Sequence, residues 1–167
     1  MRAAVRADLE QVFRAAYPRV VAVAARVLGS PSEAEDVAQE VFLTFGRSTV
    51  PAGEATGWLS VAAAHTALNH LRTGRRRASR EEAAGDASAV APDVADTVVA
   101  REEHRHVRAA LARLPRRQAV ALVLRHSGLS YAEVAAALDL SAGSVGTTIR
   151  RAESALRKEL NRHAPSH

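Results

Sequence analysis

The strongest candidate binding chemistry lies near the C-terminus, between residues 141 and 151. Four hydroxyl side chains at helical spacing precede two arginines there: Ser141, Ser144, Thr147, Thr148, Arg150 and Arg151. Hydroxyls can bond to phosphate oxygens or to several bases, and guanidinium groups neutralise phosphates. The other residues of the segment are small, which lets the backbone amides of a helix start approach a phosphate oxygen. This pattern predicts a DNA-binding surface that positions the protein more than it discriminates between sequences.

The distribution of charge points to the same part of the chain. The sequence contains 23 Lys and Arg and 18 Asp and Glu residues, a net charge of +5. Residues 101–167 contain 12 basic and 6 acidic residues, so all of the positive excess lies there. This is expected if the C-terminal third approaches a polyanion, and the alternative is an ordinary solvated basic surface. With roughly six phosphate contacts, a log-log plot of affinity against salt would have a slope of about −5.

Two short helices must position this surface. Ser130 can cap a helix over residues 131–138, with Glu133 closing a capping box. Asp139 lies where the turn requires a left-handed residue. Ser141 then caps a second helix, whose apolar residues return to the core at helical spacing: Val145, Ile149 and Ala152. This helix-turn-helix predicts a reader of the major groove, and the alternative is a helix pair used only for packing.

The N-terminal part of the chain predicts helices throughout. A first helix is expected over 8–28, bent or restarted at Pro18, and Gly29 ends it. Ser30 can cap a second helix over 31–46, with Glu33 placed to close a capping box. One stripe of this second helix is apolar: Ala34, Val37, Ala38, Val41, Phe42 and Phe45. The other stripe is acidic with an apolar end: Asp36, Gln39, Glu40 and Leu43.

The remaining segments complete an all-α fold. A helix is predicted over 54–73, followed by a basic cluster that is expected to meet DNA: Arg72, Arg75, Arg76 and Arg77. Further helices are predicted over 98–114 and 115–126. Residues 81–96 are small and acidic with Gly and Pro, which is typical of a linker. We therefore expect two small helical domains, 1–80 and 97–167, joined by a flexible linker over 81–96.

Enzyme function is not predicted. The chain contains no cysteine, which excludes disulfides and thiol nucleophiles. His104 and His106 stand two residues apart, which turns them to different faces of a helix. No carboxylate cluster, nucleophile elbow or phosphate loop accompanies the histidines, so neither a metal nor a cofactor is expected. The longest apolar run, Val20–Ala25, is too short to span a bilayer, and we expect a cytoplasmic protein with no membrane insertion.

These features together resemble one known family. The segment "AEDVAQEVFLTF" at 34–45 is followed by "GWL" and by a helix that ends in arginines. After the linker comes "LARLPRRQAVALVLRHSGLSYAEVAAALDLSAGSVGTTIRRAESALRKEL". The chain is thus similar to the extracytoplasmic-function (ECF) sigma factors of the sigma-70 family over almost its whole length.

The resemblance implies partners and roles. Its first helical domain would bind bacterial RNA polymerase core and open the minus-ten element of promoter DNA. Its second would read the minus-thirty-five element. The polymerase-binding helix of the family matches Asp36, Gln39 and Glu40, and Leu43 could supply an apolar anchor. Members of this family are commonly held inactive by an anti-sigma factor, which is therefore an expected partner.

The chain also departs from the family pattern. Many relatives carry an Arg-Asn pair and a later Asp in the helix after the tryptophan, where this chain has Ala64, His65 and Asn69. His65 and Asn69 are the candidates for minus-ten contact. The preceding loop, 48–56, has no aromatic residue to stack on an extruded base. Two alternatives therefore stay open: a stand-alone helix-turn-helix regulator, and a sigma-like adaptor that does not open promoters.

Overall fold

The computed structural model describes residues 4–83 and 95–164, with the side chains of 75–83 and 95–100 left out of the description. Seven α-helices and one 3₁₀ turn at Ala52–Glu54 make up the described residues, which contain no strand. The helices are α1 Leu9–Leu28, α2 Pro31–Gly46, α3 Ala55–Ala83, α4 Ala95–Arg113, α5 Arg116–His126, α6 Tyr131–Ala137 and α7 Ala142–Arg162. The predicted all-α class is confirmed. Within the described part of the chain, no helix is both long and apolar enough to cross a membrane.

The N-terminal helices α1, α2 and α3 pack against one another. Gly29 ends α1 in the left-handed conformation at φ 69°, with its N–H donated to the Ala25 carbonyl. The hydroxyl of Ser30 then accepts the N–H of Glu33 and caps α2. All six residues of the predicted apolar stripe of α2 are buried, as expected. This stripe fixes which face of α2 remains outside.

Pro18 does not restart the first helix, contrary to one of the two expectations for it. Helix α1 runs without interruption from Leu9 to Leu28 with Pro18 inside it. Ala16 and Val20, on either side of the proline, are both buried in the core. Packing of these neighbours offsets the one backbone hydrogen bond that a proline removes.

Helix α3 is longer than its sequence predicts. It was expected to end near Thr73 but continues to Ala83. Gly74 does not end it, because the arginines that follow are good helix formers and offset the low helix propensity of one glycine. Most of the predicted linker, residues 84–94, lies outside the described residues.

The helix-turn-helix forms as predicted. Ser130 and Glu133 make a complete capping box at the start of α6. Asp139 adopts the left-handed conformation at φ 55° in the turn. The Ser141 hydroxyl accepts the N–H of Ser144 and caps α7. The three predicted core residues of α7 are buried: Val145, Ile149 and Ala152.

The two halves of the chain share one continuous hydrophobic core. Helix α3 of the N-terminal half contacts α4, α5 and α6 of the C-terminal half, and α1 also contacts α5. Helix α5 lies at the centre of this arrangement, with six consecutive buried residues from Ala119 to Leu124. A helix is buried on all sides only when other elements cover every face. The tertiary structure therefore places α5 between the helix-turn-helix and α3.

Candidate functional site

The start of α7 presents the small hydroxyl surface to solvent. Ser141 and Ser144 are exposed, and their Oγ atoms lie 2.7 Å apart. The Thr148 hydroxyl donates to the Ser144 carbonyl oxygen at 2.9 Å, which removes its proton from outside partners, and Thr147 is half-buried. A Cβ added at Gly143 would meet no atom within 4 Å, so a flat, open approach to the backbone exists there.

Two arginines flank that surface. Arg150 and Arg151, one turn further along α7, are both exposed. The helix is anchored below them by Ile149 and Ala152, so their guanidinium groups extend from the side opposite the core. The structure therefore brings the hydroxyls of the α7 start and these two cations onto one end of the helix-turn-helix. Binding of DNA by these residues stays a prediction.

The second candidate surface, on α3, is occupied by another part of the chain. His65 is half-buried and Asn69 is exposed. Arg116 at the start of α5 donates to the His65 carbonyl oxygen at 3.2 Å, with His65 Nδ1 3.3 Å from the same nitrogen. Its other terminal nitrogen donates to Asn69 Oδ1. Both candidate minus-ten residues are thus held by a single guanidinium group.

Burial and this cation alter the chemistry of His65. Desolvation lowers the pKa of the imidazole, and the positive charge of Arg116 lowers that pKa further. The neutral ring is therefore favoured, which suits a position beside a guanidinium group. No local pattern predicts this contact, because His65 and Arg116 are 51 residues apart.

Arg72 is also engaged within the chain. Its guanidinium group donates to the Ala112 carbonyl oxygen at 3.2 Å and to the Leu114 carbonyl oxygen at 3.3 Å. These carbonyls lie at the C-terminal end of α4, where a cation is favoured by the helix dipole. Arg75, Arg76 and Arg77 continue α3, but their side chains lie outside the described residues.

The acidic stripe of α2 forms the third candidate surface. Asp36, Gln39 and Glu40 are exposed, and Leu43 keeps 68% of its surface in contact with solvent. A single exposed leucine is ordinary on a protein surface, so this exposure leaves the Leu43 side chain available to a partner without identifying one. Sequence reasoning missed His70, whose Nε2 lies 3.4 Å from a Glu40 carboxylate oxygen.

Trp58 lies beside the loop that lacks aromatic residues. It is half-buried, with its ring centre 5.8 Å from that of Phe45. It also lines a cavity of about 490 Å³ between the start of α3 and α6. Phe42, by contrast, is fully covered, as expected for a core residue.

Comparison with known proteins agrees with this architecture. The Sigma-70 region 2 family matches residues 12–77, and the Sigma-70, region 4 family matches residues 104–156. The chain is 31% identical over 147 residues to the ECF RNA polymerase sigma factor SigK of Mycolicibacterium vanbaalenii, covering 84% of this chain and 75% of that protein. It is 33% identical over 158 residues to the RNA polymerase sigma factor CarQ of Myxococcus xanthus, covering 90% of this chain and 88% of that protein.

A solved structure has the same fold. The sigma factor RpoE of Bartonella quintana, crystallised with the anti-sigma factor NepR, matches with a TM-score of 0.50 and 20% identity. The match covers 95% of this chain and 99% of that one. Two helical regions in this order define a sigma-70 type transcription initiation factor. Within that class, the chain belongs to the ECF RNA polymerase sigma factors. The predicted family and function are confirmed, and the stand-alone regulator and the adaptor are not favoured.

Proposed function

We propose that this ECF sigma factor binds core polymerase through the exposed stripe of α2. The observation that carries the proposal is the division of α2 into two faces, with one wholly buried and the other wholly exposed. The exposed face combines Asp36, Gln39 and Glu40 with the apolar side chain of Leu43. An apolar anchor surrounded by charged groups suits a protein interface, because the anchor supplies affinity and the charges supply orientation.

The DNA contacts are divided between two domains in this proposal. Residues 1–80 contain the minus-ten surface on α3, with His65, Asn69 and the arginines that follow them. Residues 97–167 contain the minus-thirty-five reader at the start of α7, and residues 81–96 connect the two. The protein supplies binding and assists strand separation in the cytoplasm, while phosphodiester synthesis belongs to the polymerase.

An anti-sigma factor is a further proposed partner. The Bartonella quintana RpoE structure contains the anti-sigma factor NepR, which binds a protein of the same fold. In this chain the two DNA-binding halves meet along α3 and α5. A partner that holds the halves together would keep Arg116 on the candidate minus-ten residues His65 and Asn69. We infer that regulation of this kind acts here.

The polymerase contact is tested by charge reversal on α2. Purified core polymerase is captured on immobilised wild-type protein and on the Asp36→Lys/Glu40→Lys variant. We expect capture by the wild type and at least a tenfold loss of affinity in the variant. Like charges brought together at an interface cost several kcal/mol, and each ~1.4 kcal/mol lowers the affinity tenfold. Circular dichroism should show equal helicity.

The matched control carries the same change of charge elsewhere. Glu10 on α1 and Glu54 before α3 are both exposed and lie on elements other than α2, so the Glu10→Lys/Glu54→Lys variant should bind polymerase like the wild type. Equal loss in both variants would indicate a general effect of charge and would remove the α2 face from the interface. Abortive transcription on sheared bacterial genomic DNA then reports whether captured polymerase initiates.

A further inference from the structure

An arginine ahead of α1 connects the N-terminal segment to the loop at 48–56, which precedes α3. The backbone N–H of Arg6 donates to the Gly46 carbonyl oxygen at 3.0 Å. Its side-chain Nη1 donates to the Ser48 hydroxyl at 3.3 Å, and that hydroxyl donates to the Phe45 carbonyl oxygen at 2.7 Å. The first residue of the loop is therefore held by a residue 42 positions away.

The guanidinium group of Arg6 is itself fixed in place. Its Nε and Nη2 atoms donate to the two carboxylate oxygens of Asp8, and its central carbon lies 4.1 Å from the ring centre of Phe45. The hydrogen bonds from Arg6 lower the pKa of Asp8, which keeps that carboxylate ionised at neutral pH. A planar guanidinium group can bind a carboxylate through two nitrogens, stack on a ring and reach Ser48 together, whereas the ammonium group of a lysine cannot.

Phe45 extends this contact to the start of α3. Its side chain is fully buried, and its ring centre lies 5.8 Å from that of Trp58, two residues after the loop. The loop is therefore anchored at its first residue by Arg6, and beyond its last residue by a ring that packs on the same phenylalanine. Between these anchors, residues 51–54 are exposed.

The anchoring matters because the loop leads directly into α3, where the proposed minus-ten surface lies. The loop has no aromatic residue, so it cannot hold an extruded base by stacking and must rely on its backbone and small side chains. Ordering a flexible loop when it binds costs free energy. A loop that is already ordered avoids this cost, so its contacts with DNA are stronger.

We propose that Arg6 is a positioning residue for minus-ten recognition, which fixes the 48–56 loop through Ser48 and Phe45 in the conformation that promoter DNA meets. All three side-chain nitrogens of Arg6 donate within the protein, and the side chain is 16% exposed. Arg6 thus acts on the loop and not on phosphate. This inference rests on the proposed function, because it takes the loop and α3 as the parts that face the minus-ten element.

Hydrogen exchange of the full chain, followed by peptide mass spectrometry, tests whether Arg6 orders the loop. Two amides of the loop are hydrogen-bonded, those of Ser48 and Glu54. In Arg6→Ala, the 48–56 peptide should exchange about tenfold faster, equivalent to releasing roughly one ordered backbone residue, while peptides of α2 and α3 exchange as in the wild type. An unchanged rate for the 48–56 peptide would overturn the proposal.

Arg6→Lys separates geometry from charge. The lysine keeps the positive charge but not the fork or the planar face, so this variant should exchange like Arg6→Ala. Exchange like the wild type would mean that charge alone suffices, and the proposal would fail. The matched control is Arg14→Ala, which removes an arginine that is also paired with a carboxylate, Glu10, on the exposed side of α1. It should leave the loop unchanged.

Asp8→Ala provides a second variant that does not alter Arg6 or the loop. The Asp8 side chain makes no capping hydrogen bond to α1, so its removal should leave that helix intact. Arg6 then loses the partner that orients it, and exchange of the 48–56 peptide should rise toward the rate of Arg6→Ala. If Arg6→Ala does not fold, this variant decides, and wild-type exchange in Asp8→Ala would overturn the proposal.

The functional consequence is measured with core polymerase on sheared bacterial genomic DNA, with the 5′ ends of the transcripts sequenced. Arg6→Ala and Arg6→Lys should capture polymerase like the wild type but initiate about tenfold less. Their start sites should share a weaker minus-ten sequence and an unchanged minus-thirty-five sequence. A variant that had merely lost stability would initiate less with both sequences unchanged, and that result, or wild-type initiation, would refute the positioning role.

The exchange measurement involves neither polymerase nor DNA, so it is independent of the proposed function. If wild-type protein captures polymerase but never initiates, the proposed function fails, while exchange still decides whether Arg6 orders the loop. If wild-type protein initiates and the loop exchanges equally in every variant, the proposed function stands and the role of Arg6 is refuted.

Discussion

The exposed arginines of α7 allow a quantitative prediction about DNA binding. Arg150 and Arg151 are replaced together by alanine. Both side chains are exposed and neither packs in the core, so the helix and its buried residues Ile149 and Ala152 should be retained. If the two arginines neutralise phosphates, their loss should weaken binding to all DNA sequences alike, because the phosphate backbone carries no sequence information.

The structure sets the size of the expected change. Seven basic residues of α5 and α7 are candidates for phosphate contact: Arg116, Arg117, Arg125, Arg150, Arg151, Arg157 and Lys158. Of these, Arg116 is held by α3. Arg125 bonds to the Leu129 carbonyl and lies 4.8 Å from the ring centre of Tyr131. Five exposed cations remain: Arg117, Arg150, Arg151, Arg157 and Lys158. At about 0.9 counterions released per phosphate contact, the log-log salt slope should be about −4.5 for the wild type and about −2.7 for the variant.

The assay is fluorescence anisotropy with short labelled duplexes of unrelated sequence, titrated between about 50 and 200 mM salt. The matched control is Arg14→Ala/Arg26→Ala, which removes the same charge from two exposed positions of α1. Its slope should stay near the wild-type value. An unchanged slope in the Arg150/Arg151 variant would mean that neither residue contacts phosphate. A changed preference among the duplexes would mean that they read bases, and either result would refute the reasoning.

Four further outcomes are expected. Gly143→Ala should raise the free energy of unfolding by up to about 1 kcal/mol, because alanine is the better helix former and its methyl group has open space. The same methyl group should weaken DNA binding if the α7 backbone approaches a phosphate, and an unaltered affinity would exclude that approach. Ser130→Ala should lower the free energy of unfolding by about 1 kcal/mol in urea titrations through loss of the α6 cap. The backbone N–H of Ser130 lowers the pKa of Glu133, so the ionised carboxylate stabilises the fold above the ordinary pKa of 4.5 and this stabilisation is lost as pH falls below it. Glu133→Gln should make the free energy of unfolding depend less on pH below 4.5. Burial and Arg116 lower the pKa of His65, so the folded state binds fewer protons than the unfolded state and should lose stability as pH falls below the ordinary imidazole value of 6.5. His65→Ala should reduce that loss, and an identical pH profile would remove His65 as its source.

Local signals in the sequence determined most of the helices and the helix-turn-helix. Ser130, Glu133 and Asp139 act on backbone groups within a few residues, so their spacing alone predicts the start of α6 and the turn after it. The two stripes of α2 follow in the same way from a period of 3.6 residues, which separates a buried face from an exposed one. The order of these signals along the chain was enough to indicate the family.

Long-range contacts decided which of the candidate residues are accessible. His65, Asn69 and Arg72 all lie on a part of α3 that the sequence presents as polar and available, yet Arg116 and the end of α4 engage them. These contacts join residues 40 to 51 positions apart, and no local spacing encodes them. They depend on how the apolar faces of α3 and α5 meet, which is a property of the packed core. The sequence by itself therefore determined the elements and their chemistry. Only the tertiary structure decided that the candidate minus-ten residues are covered, because burial between distant segments arises from packing and not from pattern.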